Sequence, residues 1–444
     1  MNRSVGIPAT LPVEFIDRTV FVGAELGFYG PGLGGVVVFD GRLDEARMGH
    51  ALRLLLDAEP VLGCRLDADA VPPVWQRFGG LDSMRILDVR DSPAPAAAAT
   101  KFVAEPFDFS VDPQVRAALF RGPSADVLVV RLGHYAADGG ALKEAMYLIG
   151  DIYRTLGEQP DWTPEPNSAG VRSAMTGAGF FETLLSFRQS DVATLPSDWS
   201  VPLLGGRGAE SYVTASVMPE VLRSAAVLGR SVGATVNDII LTAYYRTLYR
   251  VLDAVPGSRT PLMMTVDLRK HLPAGTRTAL ANISSAWSVS VSPKEDEAFD
   301  GTLARVVEAT RAWKAAGAGR GSATGIPLVN AFTRKKGMNV VRKMMSGAVD
   351  PKADTKLGGA VLTNIGVIDE RRLDFGTSAH IADAWLLAPV TPMGIGLAAS
   401  TYRDHLVLSA GADFAATSEE LVTDVVSGVA REIEEWVTAR TDGV

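Results

Sequence analysis

The chain has 444 residues, 47% of them hydrophobic, with 51 acidic against 43 basic side chains and a formal charge of −8. That length exceeds one ordinary core and predicts two lobes sharing an interface, while the acidic balance excludes a nucleic-acid surface, which needs clustered Lys and Arg. Cys64 is the single cysteine, which excludes an internal disulfide and a multi-cysteine zinc site and points to a reducing compartment. With no signal-like start over residues 1–15 and no run of membrane-spanning length, the expected location is the cytoplasm.

In chain order, an apolar run at Gly35–Phe39 predicts a strand, and a helix follows over Leu43–Leu56 with Ala51, Leu52, Leu55 and Leu56 on one face. Ala125–Leu132 reads as a buried strand through Val127, Leu128, Val129 and Val130. Leu142, Ala145, Ile149 and Ile152 then recur at helical spacing until Gly157. Three prolines break any period over Glu158–Ser168, the best linker candidate. The expected division is a first lobe over 1–165, a linker over 166–205 and a second lobe over 206–444.

Beyond the linker, Ser211–Met218 alternates like a strand and Pro219 opens a helix where proline costs no hydrogen bond. Thr235 and Asp238 form a capping-box start to a helix reaching Leu248. Strands are predicted at Leu262–Leu268 and Asn282–Val291, and helices within Glu297–Lys314 and within Val329–Met345. Further strands follow at Ala360–Ile365, Ile381–Pro389, Ile395–Thr401 and Leu406–Ala410, and a last helix runs from Ser418 to about Thr438. The fold class is mixed α/β (α+β), without an internal repeat.

The chemistry concentrates where the Ala125–Leu132 strand meets its helix, in Gly133-His134-Tyr135-Ala136-Ala137-Asp138-Gly139-Gly140. A strand that delivers a histidine to a glycine-rich turn leaves an imidazole where a substrate can reach it. An ordinary histidine pKa of about 6.5 suits a general base at neutral pH. Asp138, four residues on, is expected to point back into the fold and hold the turn, ideally by bidentate pairing with an arginine. Gly139 and Gly140 allow close backbone approach. The bland alternative is a buried, hydrogen-bonded histidine.

At these residues the sequence resembles the chloramphenicol-acetyltransferase-like superfamily, in its branch of condensation domains, wax ester synthases and polyketide-associated acyltransferases. His134 to Gly139 matches the last six positions of that family's His-His-x-x-x-Asp-Gly motif. Similar stretches are Phe39-Asp40-Gly41-Arg42-Leu43-Asp44, Ala58-Glu59-Pro60-Val61-Leu62, Pro106-Phe107-Asp108, Ala234-Thr235-Val236-Asn237-Asp238, Val266-Asp267-Leu268-Arg269, Asn282, Thr363-Asn364-Ile365-Gly366 and Thr401-Tyr402. The resemblance implies two lobes, each a mixed sheet with flanking helices, forming a V-shaped cleft with a tunnel that meets at His134. It implies an acyltransferase, ester- or amide-forming, in natural-product biosynthesis. The donor is a thioester, acyl-CoA or an acyl group on the phosphopantetheine arm of a carrier protein, and the acceptor a hydroxyl or amine. His134 is the base, Arg269 pairs with Asp138, and no tightly bound cofactor and no metal is needed.

The sequence departs from the family at Gly133, which stands where the first motif histidine would be. Asp374-Phe375-Gly376 is followed by Thr377-Ser378, which does not match the plant branch's Asp-Phe-Gly-Trp-Gly. Signatures of peptide-forming condensation domains are not evident in the second half. Two rivals therefore stand beside acyl transfer: another reaction on a carrier-bound chain (cyclisation, epimerisation or dehydration), and a catalytically silent docking module.

Tyr135, Asn282 and Ser284 are candidates to contact substrate, although polar residues at strand ends also satisfy backbone. His50 and His405 read as solvated, His271 as an ordinary loop histidine, and His380 as a residue before a strand. Arg334, Lys335, Lys336, Arg342 and Lys343 form a basic cluster on a predicted helix, read as a solvated face or a contact for coenzyme A phosphates or an acidic carrier protein. Trp287 and Trp385 are expected in the core.

Overall fold

The computed structural model describes residues 6–167, 197–272, 275–276, 278–315, 319, 326, 329–348, 357–377 and 380–441. Two large sheets organise them. The first has five strands in the order His380–Leu387, Gly32–Asp40, Asp126–Gly133, Val115–Arg121 and Leu87–Asp91, antiparallel except for the last pair. The second runs Ser284–Ser290, Pro261–Asp267, Leu357–Val367, Gly394–Tyr402, His405–Asp413 and Glu210–Val217, with Val201–Pro202 added as a seventh strand beside Leu357. It is mixed, because Leu357–Val367 lies parallel to both of its neighbours on that path. A small sheet joins Thr10–Pro12, Val74–Arg77 and Cys64–Asp67.

The apolar run that predicted the motif strand has a direct cause in the packing. All eight residues of Asp126–Gly133 are buried, with Leu128, Val130 and Leu132 in one core and Val127 and Val129 in another. A strand covered on both faces reads as a continuous apolar stretch instead of an alternating one. Helices Glu45–Ala58 and Gly139–Glu158 fill the first of these cores, and Pro95–Ala104 supplies Phe102 and Val103 to the second. On the second sheet, Val236–Val251, Phe299–Ala315 and Glu419–Thr441 bury their apolar faces together.

Local signals place most element starts. Pro219 opens Pro219–Ser231, and the capping box forms, with Thr235 N donating to Asp238 Oδ2 at 2.8 Å and Asp238 N to Thr235 Oγ1 at 3.3 Å. Two features were not foreseen. The stretch Val329–Met345, within which helix was expected, holds a 3-10 turn at Arg334–Lys336, and Gly337 at φ 70° separates it from helix Met338–Ala348, a left-handed conformation that glycine adopts without strain. The strand His380–Leu387, from the stretch expected in the second lobe, pairs with Gly32–Asp40 and completes the first sheet. The chain therefore crosses back before returning to the second sheet at Gly394. Among the described residues, no helix is long and apolar enough to cross a membrane.

Candidate active site

The motif strand ends at Gly133, and the chain turns through five residues before helix Gly139–Glu158 begins. His134 sits at the start of that turn, its N–H donating to Pro31 O at 2.7 Å. Its Nδ1 lies 2.9 Å from Ala137 O. A carbonyl oxygen only accepts, so Nδ1 carries the hydrogen and the neutral ring presents its lone pair at Nε2. Burial holds the imidazole pKa below its ordinary value, partly offset by the Ala137 carbonyl and the Asp138 charge. A half-buried imidazole results, whose neutral form has one fixed tautomer. The ring of Tyr29 tilts against it at 5.4 Å between centroids.

Asp138 points away from that imidazole, as its expected role requires. It caps the helix by accepting from Ala141 N at 2.9 Å, and accepts from Ile283 N at 2.7 Å. Arg269 binds both carboxylate oxygens, at 2.9 Å to Oδ1 and 3.1 Å to Oδ2. The same guanidinium donates to Ala281 O at 3.0 Å and to Asp267 Oδ1 at 3.1 Å. This fork joins the helix start of one sheet to the strand end of the other. Gly140 makes room for it, since a Cβ there would stand 2.7 Å from Arg269 Nη1, and a Cβ on Gly139 would press on Ile365.

A cavity of about 150 Å³ opens at His134 and is walled from both sheets, with Ser284, Thr265, Thr363, Lys143 and Leu387 in its lining. Ser284 is thus part of the cavity wall. Asn282 takes the backbone alternative: it is 2% exposed, and its Nδ2 lies 2.9 Å from His134 O, 2.9 Å from Tyr135 O and 3.2 Å from Asp17 Oδ1. Its amide holds the backbone of the turn instead of reaching substrate. Tyr135 departs from expectation, because its ring enters the first core against Phe21, edge to face at 5.1 Å, outside the cavity lining.

Lys143 escaped sequence reading. Its Nζ donates to Ile365 O at 3.1 Å and Val367 O at 3.2 Å, bridging the motif helix to the bulged strand Leu357–Val367. Its position one turn beyond Gly139, on the motif's own helix, is the available signal. Gly133 faces Gln114, whose side chain is wholly buried and donates to Phe109 O at 2.6 Å. A Cβ at position 133 would collide with Gln114 Oε1 and stand 3.1 Å from Phe109. Gln114 thus fills the space that a first motif histidine would need.

The remaining candidates lie apart from the cavity lining. His405 is half-buried rather than solvated, its Nδ1 2.9 Å from Asp383 Oδ2, and His380 and His50 are exposed. Arg334, Lys335, Lys336 and Lys343 are exposed, while Arg342 pairs with Glu25 at 2.8 Å. Trp385 is in the core, and Trp287 stacks on Trp313 at 4.4 Å. Among the described residues, no group of His, Cys, Asp and Glu is placed to hold a metal.

No family model and no curated protein matches the sequence. Solved structures do match it. The first condensation domain of the calcium-dependent antibiotic synthetase, with a bound substrate analogue, is 16% identical with a TM-score of 0.69, over 97% of each chain. Polyketide synthase associated protein 5 from Mycobacterium tuberculosis is 17% identical with a TM-score of 0.64, over 96% of this chain and 100% of that one. Trichothecene 15-O-acetyltransferase from Fusarium sporotrichioides is 12% identical with a TM-score of 0.71, over 96% and 94%. Epimerization and cyclization domains are matched as well. The chain has the two-lobed, chloramphenicol-acetyltransferase-like fold of these proteins, and at such identities the likeness establishes fold and not activity.

Proposed function

We propose that the protein transfers an acyl group from a thioester to a hydroxyl or amine acceptor, with His134 as general base. The observation that carries this reading is the Nδ1 contact with Ala137 O, which in the neutral ring keeps the lone pair on Nε2, on a residue of the cavity wall. In the step we envisage, Nε2 removes the acceptor's proton as its oxygen or nitrogen attacks the thioester carbonyl. A C–O or C–N bond forms, the C–S bond breaks, and the imidazolium returns the proton to the departing thiolate. A positioned base contributes roughly a hundred- to ten-thousand-fold to such a step, and alignment of the two reactants contributes more.

Asp138 and Arg269 are assigned to positioning, since their hydrogen bonds go to each other, to backbone and, from Arg269, to Asp267. Asn282 belongs with them. Ser284, in the cavity wall, is the proposed hydroxyl contact for substrate. The lobes are assigned as before, with the first over 1–165, a linker over 166–205 and the second over 206–444, His380–Leu387 being lent to the first sheet. The donor is acyl-CoA or a carrier-linked acyl group, and the setting natural-product biosynthesis.

The test is product mass. Incubation with a panel of acyl thioesters and of hydroxyl and amine acceptors is expected to add one acyl mass to an acceptor. Water loss from a carrier-bound chain, or inversion at its α-carbon without a mass change, would replace acyl transfer by cyclisation, dehydration or epimerisation. No change with any donor would favour a docking module.

A further inference from the structure

The cavity at His134 is smaller than the roughly 300 Å³ at which ordinary small-molecule sites begin, so a donor seated there must extend into adjoining space. Two larger cavities share a lining residue with it, and their charges differ. One, of about 500 Å³, shares Arg269 and is lined by Glu59, Glu144, Asp151 and Glu165 against Arg269 and Arg372. The other, of about 390 Å³, shares Asn364 and carries Arg223 and Arg230 against Asp404 alone. Its floor is apolar, from Leu222, Val236 and Ile240.

Arg223, Val227 and Arg230 project from one stripe of helix Pro219–Ser231, since residues three, four and seven apart share a helix face. The two arginines stand two turns apart, roughly 10 Å along the axis. Both are exposed, and Val227 between them is 58% exposed. Arg223 meets Asp404 at 3.3 Å with both side chains more than half exposed, a pairing of little energetic weight. Arg230 makes no ion pair among the described residues. In a chain of charge −8, this is a local positive field beside an apolar trough that has Asn364 in common with the lining of the base's cavity.

We infer that this groove binds the phosphorylated tail of the thioester donor, with Arg230 and Arg223 on its phosphates and the apolar floor under its arm. Asn364, which lines both cavities, is fixed in place, its amide held by Asn237 Oδ1 at 3.0 Å and Gly366 N at 2.9 Å. The acidic cavity on the Arg269 side has the wrong sign for phosphate.

The inference rests on the acyl-transfer reading and names the binding site of its donor. Its test compares wild type, Arg230→Glu and Arg223→Ala with three donors: acyl-CoA, acyl-phosphopantetheine and the phosphate-free acyl N-acetylcysteamine. Arg230→Glu is expected to raise KM about tenfold or more for phosphorylated donors, the loss of one charge-assisted contact, and to leave the phosphate-free donor unchanged. Equal effects on both phosphorylated donors would assign the arginines to the pantetheine phosphate, and an effect on acyl-CoA alone to the nucleotide phosphates. Unchanged kinetics with every donor, or an equal loss with the phosphate-free one, would overturn the inference. Should wild type turn over no thioester, the acyl-transfer reading fails and calorimetry with coenzyme A decides the groove separately. Binding that weakens tenfold in Arg230→Glu keeps it, and binding that is absent or unaltered rejects it.

Discussion

Arg269 grips both carboxylate oxygens of Asp138 across 131 residues of sequence, and this fork ties the start of the motif helix to the end of strand Pro261–Asp267. Asp138 is 5% and Arg269 18% exposed in their side chains. Removing one member of a buried pair leaves the other's charge uncompensated, at about 3–5 kcal/mol. Arg269→Ala is therefore expected to lower unfolding stability in urea by that order. Replacement by Lys recovers only part, because an ammonium cannot reproduce the fork. Turnover falls with it, while the pH at which the base titrates stays put. A large shift of that pH would mean that Arg269 acts on the imidazole itself.

Asn282→Ala removes the amide that holds the carbonyls of His134 and Tyr135 without altering the cavity lining. Turnover is expected to fall with KM nearly unchanged, the signature of a misplaced base and not of lost substrate contacts. A rise in KM alone would return Asn282 to the substrate-binding role that sequence reading gave it.

Installing the missing histidine is expected to harm the protein. Gly133→His drives a side chain into Gln114 and Phe109, and overpacking of this kind costs about 1–3 kcal/mol. Adding Gln114→Ala frees the space, so the double variant should be more stable than the sum of the two single losses predicts. Additive losses in urea unfolding would show that Gln114 does not occupy that space.

Because burial lowers the His134 pKa, the acid limb of kcat/KM is expected to have its midpoint below about 6.5. The same sign governs stability. The unfolded chain takes up the proton first as pH falls, so stability held above about 6.5 declines between that value and the lower folded pKa. His134→Gln should remove this part of the pH dependence. A midpoint above 6.5 would contradict the lowered pKa.

The motif and its strand were legible because burial on both faces of Asp126–Gly133 writes an uninterrupted apolar run ending at a glycine turn. Arg269 was legible only by resemblance, since nothing local in Val266-Asp267-Leu268-Arg269 tells a strand-end arginine from a surface one. Helix Phe15–Glu25, which contributes Asp17 beneath the site, carried no such mark: its capping box uses Glu14 and Asp17 in place of a Ser or Thr start. Asn282 and Tyr135 were candidates for substrate contact, Asn282 with backbone satisfaction as its alternative, because polarity shows in a sequence and direction does not. One amide turned to the backbone and one ring turned to the core. The crossing of His380–Leu387 into the first sheet was hidden for the same reason, as an apolar strand does not declare its partner.

The most direct test of the account is acyl transfer by the His134→Ala variant, followed by the mass of the acylated acceptor, with unfolding measured alongside. The account predicts turnover at least a hundredfold below wild type with unfolding little altered. Turnover at the wild-type rate in the folded variant would contradict it.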